Sequence, residues 1–340
     1  MLKMNIIRSV FILLAVAVIS GCATSPKPLY SWNEYQPVVY EYYALDMGPQ
    51  EQIEALKKDI EKTRAQALPV PPGLHAHLGM LYIDTGHPEL AKTEFEQEKR
   101  LFPESSQFMD FLLKKNAGRQ SMKKLYVLCA GLLVTLLLSG CAPKKSYDYT
   151  AFRQSKPKSI LVLLPKNESP DVKAGYGVLS QVTLPLAEAG YYVFPVAVVE
   201  NTFKQNGVVN GEEMHGVSHQ KLREIFGADA VLYLKVTEYG TSYQVINSDT
   251  RVAVSGELVD IRNGKLLWKG SAVASSSEGD SSGGSLLGML IQAAVDQIVN
   301  TMTDRSYKVA GIADARLLTP AAPAGMLYGP RSPKYGKDLQ

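Results

Sequence analysis

Three cysteines, five histidines and one serine-rich run are the residues of this chain whose types and spacing could do chemistry. Cys22 and Cys141 each close an apolar run through a Ser-Gly pair: Ser20-Gly21-Cys22 after Val10–Ile19, and Ser139-Gly140-Cys141 after Leu125–Leu138. Each run begins next to basic residues, Lys3 and Arg8 in one case and Met122-Lys123-Lys124 in the other. A basic start, a short apolar core and small residues at its end make a secretory signal. The first core, as a helix, covers only about 15 Å, half a bilayer, so it does not read as a permanent span. The second core contains the third cysteine, Cys129. Gly279-Asp-Ser-Ser-Gly283 matches G-x-S-x-G, a pattern that needs a tight strand-to-helix turn and a later histidine. Ser281 and Ser282 instead sit in a loose Ser/Gly run with no histidine after it. His215 and His219 have the i, i+4 spacing of a two-histidine metal face, but Gly216 and Ser218 argue for a loop and a helix cap there. His75 and His77 at i, i+2 on a helix would point about 200° apart, and with His87 they read as surface residues. No catalytic residue and no metal ligand is expected.

The endings Ile19-Ser20-Gly21-Cys22 and Leu138-Ser139-Gly140-Cys141 resemble the lipobox of bacterial lipoproteins. That resemblance implies cleavage before the cysteine and acylation of it, so Cys22 and Cys141 are the expected lipidation sites and the lipid is the only cofactor. Ala23 and Ala142 stand where many inner-membrane lipoproteins carry aspartate, which implies an outer-membrane anchor with the body mainly on the periplasmic face. A complete second signal inside the chain means two lipoproteins written as one, either a natural fusion or two joined neighbours. The mature pieces would have no free thiol and no disulfide, although the periplasm permits one.

Composition adds limits. The chain is 46% hydrophobic and 20% charged with a net charge of +3, which excludes wholesale disorder and offers no basic stripe for nucleic acid. Residues 22–121 carry −3 and residues 141–340 carry +2. Neither a P-loop nor a dinucleotide fingerprint is present, so no nucleotide partner is expected. The chain divides into a signal (1–21), a tether with a possible degenerate helix at Tyr40–Met47 (22–48), a helical domain (49–121), a second signal (122–140) and a second tether (141–158). An α/β domain (159–308) and a Pro/Gly-rich tail (309–340) complete it.

The helical domain opens with Pro49–Ala67, where Ile53, Leu56 and Ile60 share one face. Beyond Pro72, the residues Leu78, Gly79, Tyr82, Gly86, Ala91, Phe95 and Pro103 fall at the spacing of a tetratricopeptide repeat, which this stretch resembles. Gly79 and Ala91 are small where two helices would cross, Tyr82 and Phe95 would fill the groove, and Gly86 would turn the hairpin. A single repeat cannot bury its own apolar face, so Pro49–Ala67 and the stretch with Phe108, Phe111 and Leu112 must close it. The expected product is a small adaptor that binds protein segments in a concave face.

The second domain reads β-α-β-α-β-β-β-α, one mixed sheet with packed helices. Its expected elements are a buried strand at Ile160–Leu164, a helix at Val178–Ala189, a strand at Tyr191–Val199 and a helix His219–Phe226 capped by Ser218 and closed by Gly227. Strands at Ala230–Tyr239, Val252–Ile261 and Lys265–Ala274 follow, the last two joined at Asn263-Gly264, and a helix at Leu286–Met302 ends the domain. The stretches ILVLLPKNESPDVKAG, LAEAGYYVFPV, FGADAVLYLKV, NGKLLWKG and LYGPRSPKYGKD resemble a family of bacterial lipoproteins of unknown function. Its fold is similar to the periplasmic domain of CsgG-type curli-secretion lipoproteins and to the TolB N-terminal domain. The first segment likewise resembles a small lipoprotein family of unknown function. Both resemblances imply partnership with each other and with a CsgG-type lipoprotein. The tail reads either as an extended, disordered terminus or, through Met326, Leu327, Tyr328 and Tyr335, as a docking peptide. The leading expectation is a non-catalytic pair of lipoproteins supporting a secretion or envelope assembly. A carrier for a small envelope ligand is the alternative, and a hydrolase using Ser281 or Ser282 a third.

Overall fold

The computed structural model describes residues 28–117, 147–243, 248–277, 304–320 and 325–337. The first stretch is helical: α1 (Tyr35–Ala44), α2 (Pro49–Ala65), α3 (Leu74–Asp84), α4 (Pro88–Leu101), a single 3-10 turn at Pro103–Ser105, and α5 (Ser106–Ala117). Pro49 and Pro88 occupy first-turn positions, where a missing N–H costs no helix hydrogen bond. Ile53, Leu56 and Ile60 bury the inner face of α2. Helices α3 and α4 form a hairpin turned at Gly86, whose φ of +82° favours glycine. At the crossing, Gly79 lies against the Phe95 ring, and a Cβ on it would sit 2.6 Å from Phe95 Cε1. Leu78, Ala91 and Phe95 are buried and Tyr82 is half-buried against the core. Helix α1 begins five residues before the expected Tyr40 and takes in Tyr35, Val38 and Val39, all buried.

The second stretch contains α6 (Thr150–Ser155), β1 (Ser159–Val162), β2 (Lys166–Asn167), α7 (Ala174–Leu179), α8 (Thr183–Glu188) and β3 (Tyr192–Val193). Then come α9 (Val196–Lys204), α10 (Gly211–His215), α11 (His219–Phe226), β4 (Ala230–Tyr243), β5 (Ser248–Asp260), β6 (Lys265–Ser275) and α12 (Arg305–Leu318). The sheet is mixed, in the order β3-β1-β4-β5-β6 with β2 also paired to β4. The pairs β3/β1, β1/β4 and β2/β4 are parallel, while β4/β5 and β5/β6 are antiparallel. Leu232, Leu234 and Val236 alternate inward on β4, and Leu232, Leu258 and Trp268 sit in register across β4, β5 and β6. Helices α12, α7 and α8 pack together, and α12 covers β5 and β6.

Several expectations change. The helix expected at Val178–Ala189 is two short helices, α7 and α8, and only Tyr192–Val193 of the strand expected at Tyr191–Val199 pairs in the sheet. Pro195 ends that strand and stands just ahead of α9, so the buried Val196, Val198 and Val199 are helical. An apolar run of this length is compatible with either element, and the fixed φ of proline selects the helix. Residues 147–158 are a docked segment rather than a tether: Phe152 is buried, and Ser155 Oγ donates to Asp260 at 2.7 Å. Helix α12 occupies part of the segment expected to begin a Pro/Gly-rich tail. Asp304 caps it, its carboxylate accepting from the N–H groups of Ser306 and Tyr307. The expected helix Leu286–Met302 lies outside the described residues.

The α3/α4 crossing gives a direct test. Gly79→Ala should lower the unfolding free energy by about 1–3 kcal/mol, because the added methyl meets the Phe95 ring. Urea denaturation at constant m would measure this, and an unchanged midpoint would mean the helices do not cross there.

Candidate functional site

The feature that organises the molecule is the contact between the helical segment and the α/β segment, which share one continuous apolar core. It starts in the stretch expected to be a tether. Glu188, at the end of α8, accepts hydrogen bonds from Leu29 N at 2.7 Å, Tyr30 N at 3.1 Å and Trp32 Nε1 at 2.6 Å. These three donors favour the ionised carboxylate, but burial outweighs them and pushes Glu188 above its ordinary range. A second carboxylate reaches the other way. Glu98 of α4 is fully buried and accepts from Gly73 N at 2.8 Å and from the Tyr192 hydroxyl of β3 at 3.2 Å. Burial raises its pKa too. Gly73 has φ +89°, and a Cβ there would lie 2.8 Å from Pro195 Cβ, so the start of α3 meets the start of α9 almost backbone to backbone.

Aromatic rings fill the space between these polar contacts. Phe102 packs on Tyr192 with centroids 5.4 Å apart, and Phe108 packs on Phe226 at 4.7 Å and Phe194 at 6.1 Å. Tyr43 stacks on Tyr176 at 4.8 Å, and the Tyr40 ring lies tilted against Tyr307 at 4.2 Å. The Tyr40 hydroxyl also donates to Asp304, the residue that caps α12. Gln107 Nε2 donates to the carbonyls of Arg223 and Glu224 near the end of α11, and Gln36 Nε2 to the Gln181 carbonyl. At one side Arg331 pairs with Glu104 at 2.6 Å and lies over the Phe102 ring.

His75 and His77, expected at the surface, are buried here. His75 Nδ1 meets Glu94 Oε2 at 2.6 Å. Neither ring nitrogen of His77 has a hydrogen-bond partner among the described residues; the rings of Tyr35 and Tyr42 stand beside it, and burial pushes its pKa down to about 3. Helix α9 packs on α3, a contact invisible in local spacing. The tail is corrected as well. Met326 and Leu327 are buried in their own domain, where the Leu327 carbonyl accepts from the Tyr191 hydroxyl, so they are not free docking anchors. Gly329 N and Arg331 N then donate to the carbonyls of Ala189 and Gly190, which leaves Tyr335 exposed and Tyr328 half-buried.

His215 and His219 flank the Tyr233 ring at 5.0 and 6.3 Å. His215 Nε2 donates to the Leu164 carbonyl, and burial pushes its pKa down to about 4. Among the described residues no three His, Cys, Asp or Glu side chains come together to hold a metal. Cys22, Cys141, Ser281 and Ser282 lie outside the described residues. The interface residues Trp32, Glu98, Tyr192, Glu188 and Arg331 were not singled out by spacing. One signal was available: six aromatic residues between Tyr30 and Tyr43 are too many for a solvated tether.

Residues 147–331, more than half of the chain, match the family described as "Putative lipoprotein GNA1162-like", and the chain belongs to that family. Residues 29–112 match a second domain family, a domain of unknown function designated DUF4810. A curated relative, "Putative lipoprotein NMB1124/NMB1162" of Neisseria meningitidis serogroup B, is 54% identical over 206 residues, 60% of this chain and 95% of the relative. Among solved structures, lipoprotein GNA1162 from Neisseria meningitidis is 56% identical, with a TM-score of 0.36 over 43% of this chain and 100% of that one. The PelC dodecamer from Paraburkholderia phytofirmans is 18% identical, with a TM-score of 0.28 over 47% of this chain and 85% of that one. The chain is therefore a member of a lipoprotein family, and no helix among the described residues is long and apolar enough to cross a membrane.

Two predictions follow from the interface. Glu188→Ala leaves the donors of Leu29, Tyr30 and Trp32 without their acceptor, and should cost about 2–4 kcal/mol in urea denaturation. A loss below about 0.5 kcal/mol would mean that water replaces the carboxylate freely. The second concerns pH. His77 falls from 6.5 to about 3 on folding, so its contribution is complete above pH 6.5 and is lost as the pH drops from there toward 3. At pH 5 the loss is about 2 kcal/mol. Glu98 and Glu188, whose pKa values are raised, act with the opposite sign, but they are common to wild type and variant. His77→Leu should therefore lose about 2 kcal/mol less stability than wild type between pH 7 and pH 5; parallel pH profiles would contradict the burial.

Proposed function

We propose that the chain yields two lipid-anchored lipoproteins of the outer membrane, facing the periplasm, which act without catalysis as parts of a CsgG-type secretion or envelope assembly. The observation that carries this reading is the second complete signal, Met122 to Cys141, in the middle of a member of a lipoprotein family. The length of the curated relative supports it. With 206 residues making 95% of it, that relative has about 217 residues, close to the 219 from Met122 to Gln340. The helical segment, with its tetratricopeptide-like spacing, is then a separate lipoprotein beginning at Cys22.

The anchors fit the folded body. Leu29 and Tyr147, both already engaged in contacts, lie seven and six residues beyond Cys22 and Cys141. At no more than about 3.6 Å per residue, each tether keeps its domain within roughly 25 Å of the bilayer. Three acyl chains on each cysteine exceed the two needed for stable attachment. A carrier reading has less support. A groove of about 480 Å³ beside the sheet is lined by Lys166, Lys235 and Lys269, each paired to a glutamate, and so is polar and already neutralised.

Cys22→Ser and Cys141→Ser should each abolish palmitate labelling of the corresponding piece and release it from membranes, while Ser281→Ala with Ser282→Ala leaves the phenotype intact. Persistent labelling of both single cysteine variants would refute the anchors, and a dead serine double variant would favour an enzyme.

A further inference from the structure

We propose that after both signals are removed the helical piece and the α/β piece stay bound as a heterodimer, the helical piece being the dedicated partner of the β3, α8 and α9 side of the other. This rests on the reading of two processed lipoproteins and adds what holds them together. Among the described residues, the contacts named above come from residues 29–108 on one side and 176–331 on the other, and none of them uses the chain between 118 and 146.

The surfaces are made for each other chemically. Glu188 of the α/β piece receives its donors from Leu29, Tyr30 and Trp32 of the helical piece, and Glu98 of the helical piece receives the hydroxyl of Tyr192. Separated, the helical piece would lose the partners of Trp32, Phe102 and Phe108, all now buried, and uncover an aromatic patch. The α/β piece would likewise uncover Tyr192, Phe194 and Phe226. Buried aromatic anchors with a charged contact at the rim are the pattern of an interface whose energy is concentrated in a few residues. The rim contact here is Arg331 with Glu104, and it sits on the same short strap, Gly329–Arg331, that is bonded to Ala189 and Gly190 beside Glu188.

The test uses the full chain with residues 122–140 replaced by a flexible linker carrying a protease site. It is cut after folding and examined by size-exclusion chromatography. The two pieces should elute together at 1:1 and persist on dilution to about 100 nM. Separate elution at micromolar concentration would overturn the proposal. In the cut chain, Glu104→Arg should weaken association about fivefold or more, and adding Arg331→Glu should restore it to within about twofold. Failure of the swap to restore binding, with both pieces still helical and folded by circular dichroism, would contradict the assigned contact. Palmitate labelling of the native chain is read in parallel. Labelled cysteines with pieces that separate after cutting would refute the heterodimer and leave the anchors standing. Pieces that stay together without labelling at Cys141 would refute the two-chain form.

Discussion

The structure depends on an aromatic face that neither segment can bury alone. The helical segment, about ninety residues built around one tight α3/α4 hairpin, shares its apolar core with the sheet domain. Phe102, just after α4, and Phe108 of α5 pack on Tyr192, Phe194 and Phe226, so the sheet edge at β3, with α8, α9 and α11, supplies the missing layer. The polar contacts then follow from burial. A carboxylate taken out of water is costly unless donors replace the solvent, and Glu188 and Glu98 each find theirs across the junction. Gly73 and Gly79 are glycines for the same reason: Pro195 and the Phe95 ring approach too closely for a side chain.

What could be read from sequence was the local chemistry. Ser218 caps α11 by accepting from Lys221 N, Gly227 ends it with φ +72°, and the Asn263-Gly264 turn joins β5 to β6. Each of these is decided within a few residues, where propensity and hydrogen bonding act directly. What could not be read was decided at long range. Residues 28–34 carry no periodicity, yet they are fixed by Glu188, more than 150 residues away. The valines after Pro195 are buried in a helix that packs on α3, a contact more than a hundred residues away in sequence. His77 is polar and locally unremarkable, and it is buried with the Tyr35 and Tyr42 rings of α1, distant in sequence, beside it. The same holds for the tail, whose Met326 and Leu327 read as free anchors but fold back onto Tyr191.

The two signals and the shared core bear on function together. Lipid chains confine a protein to a surface, where two partners meet at far higher effective concentration than in free solution. On the reading proposed above, an interface with an aromatic centre and buried carboxylates is a means of holding two anchored chains in one orientation. On that same reading, chemistry is absent from the account because the work is positional: short tethers fix the height above the membrane and the interface fixes the relative placement of the two domains. That arrangement suits a structural part of a larger envelope assembly.

The shared core predicts that the helical segment draws its stability from the α/β segment, so that the two unfold as one unit. The chain has two tryptophans, Trp32 at the junction and Trp268 within β6. In Trp268→Phe, fluorescence reports Trp32 alone while far-ultraviolet circular dichroism reports the whole chain. Urea titration should give coincident transitions by the two probes, the mark of a single cooperative unit. A Trp32 transition completed at lower urea than the loss of ellipticity would show that the helical segment leaves a sheet domain that stands without it, and would contradict the account.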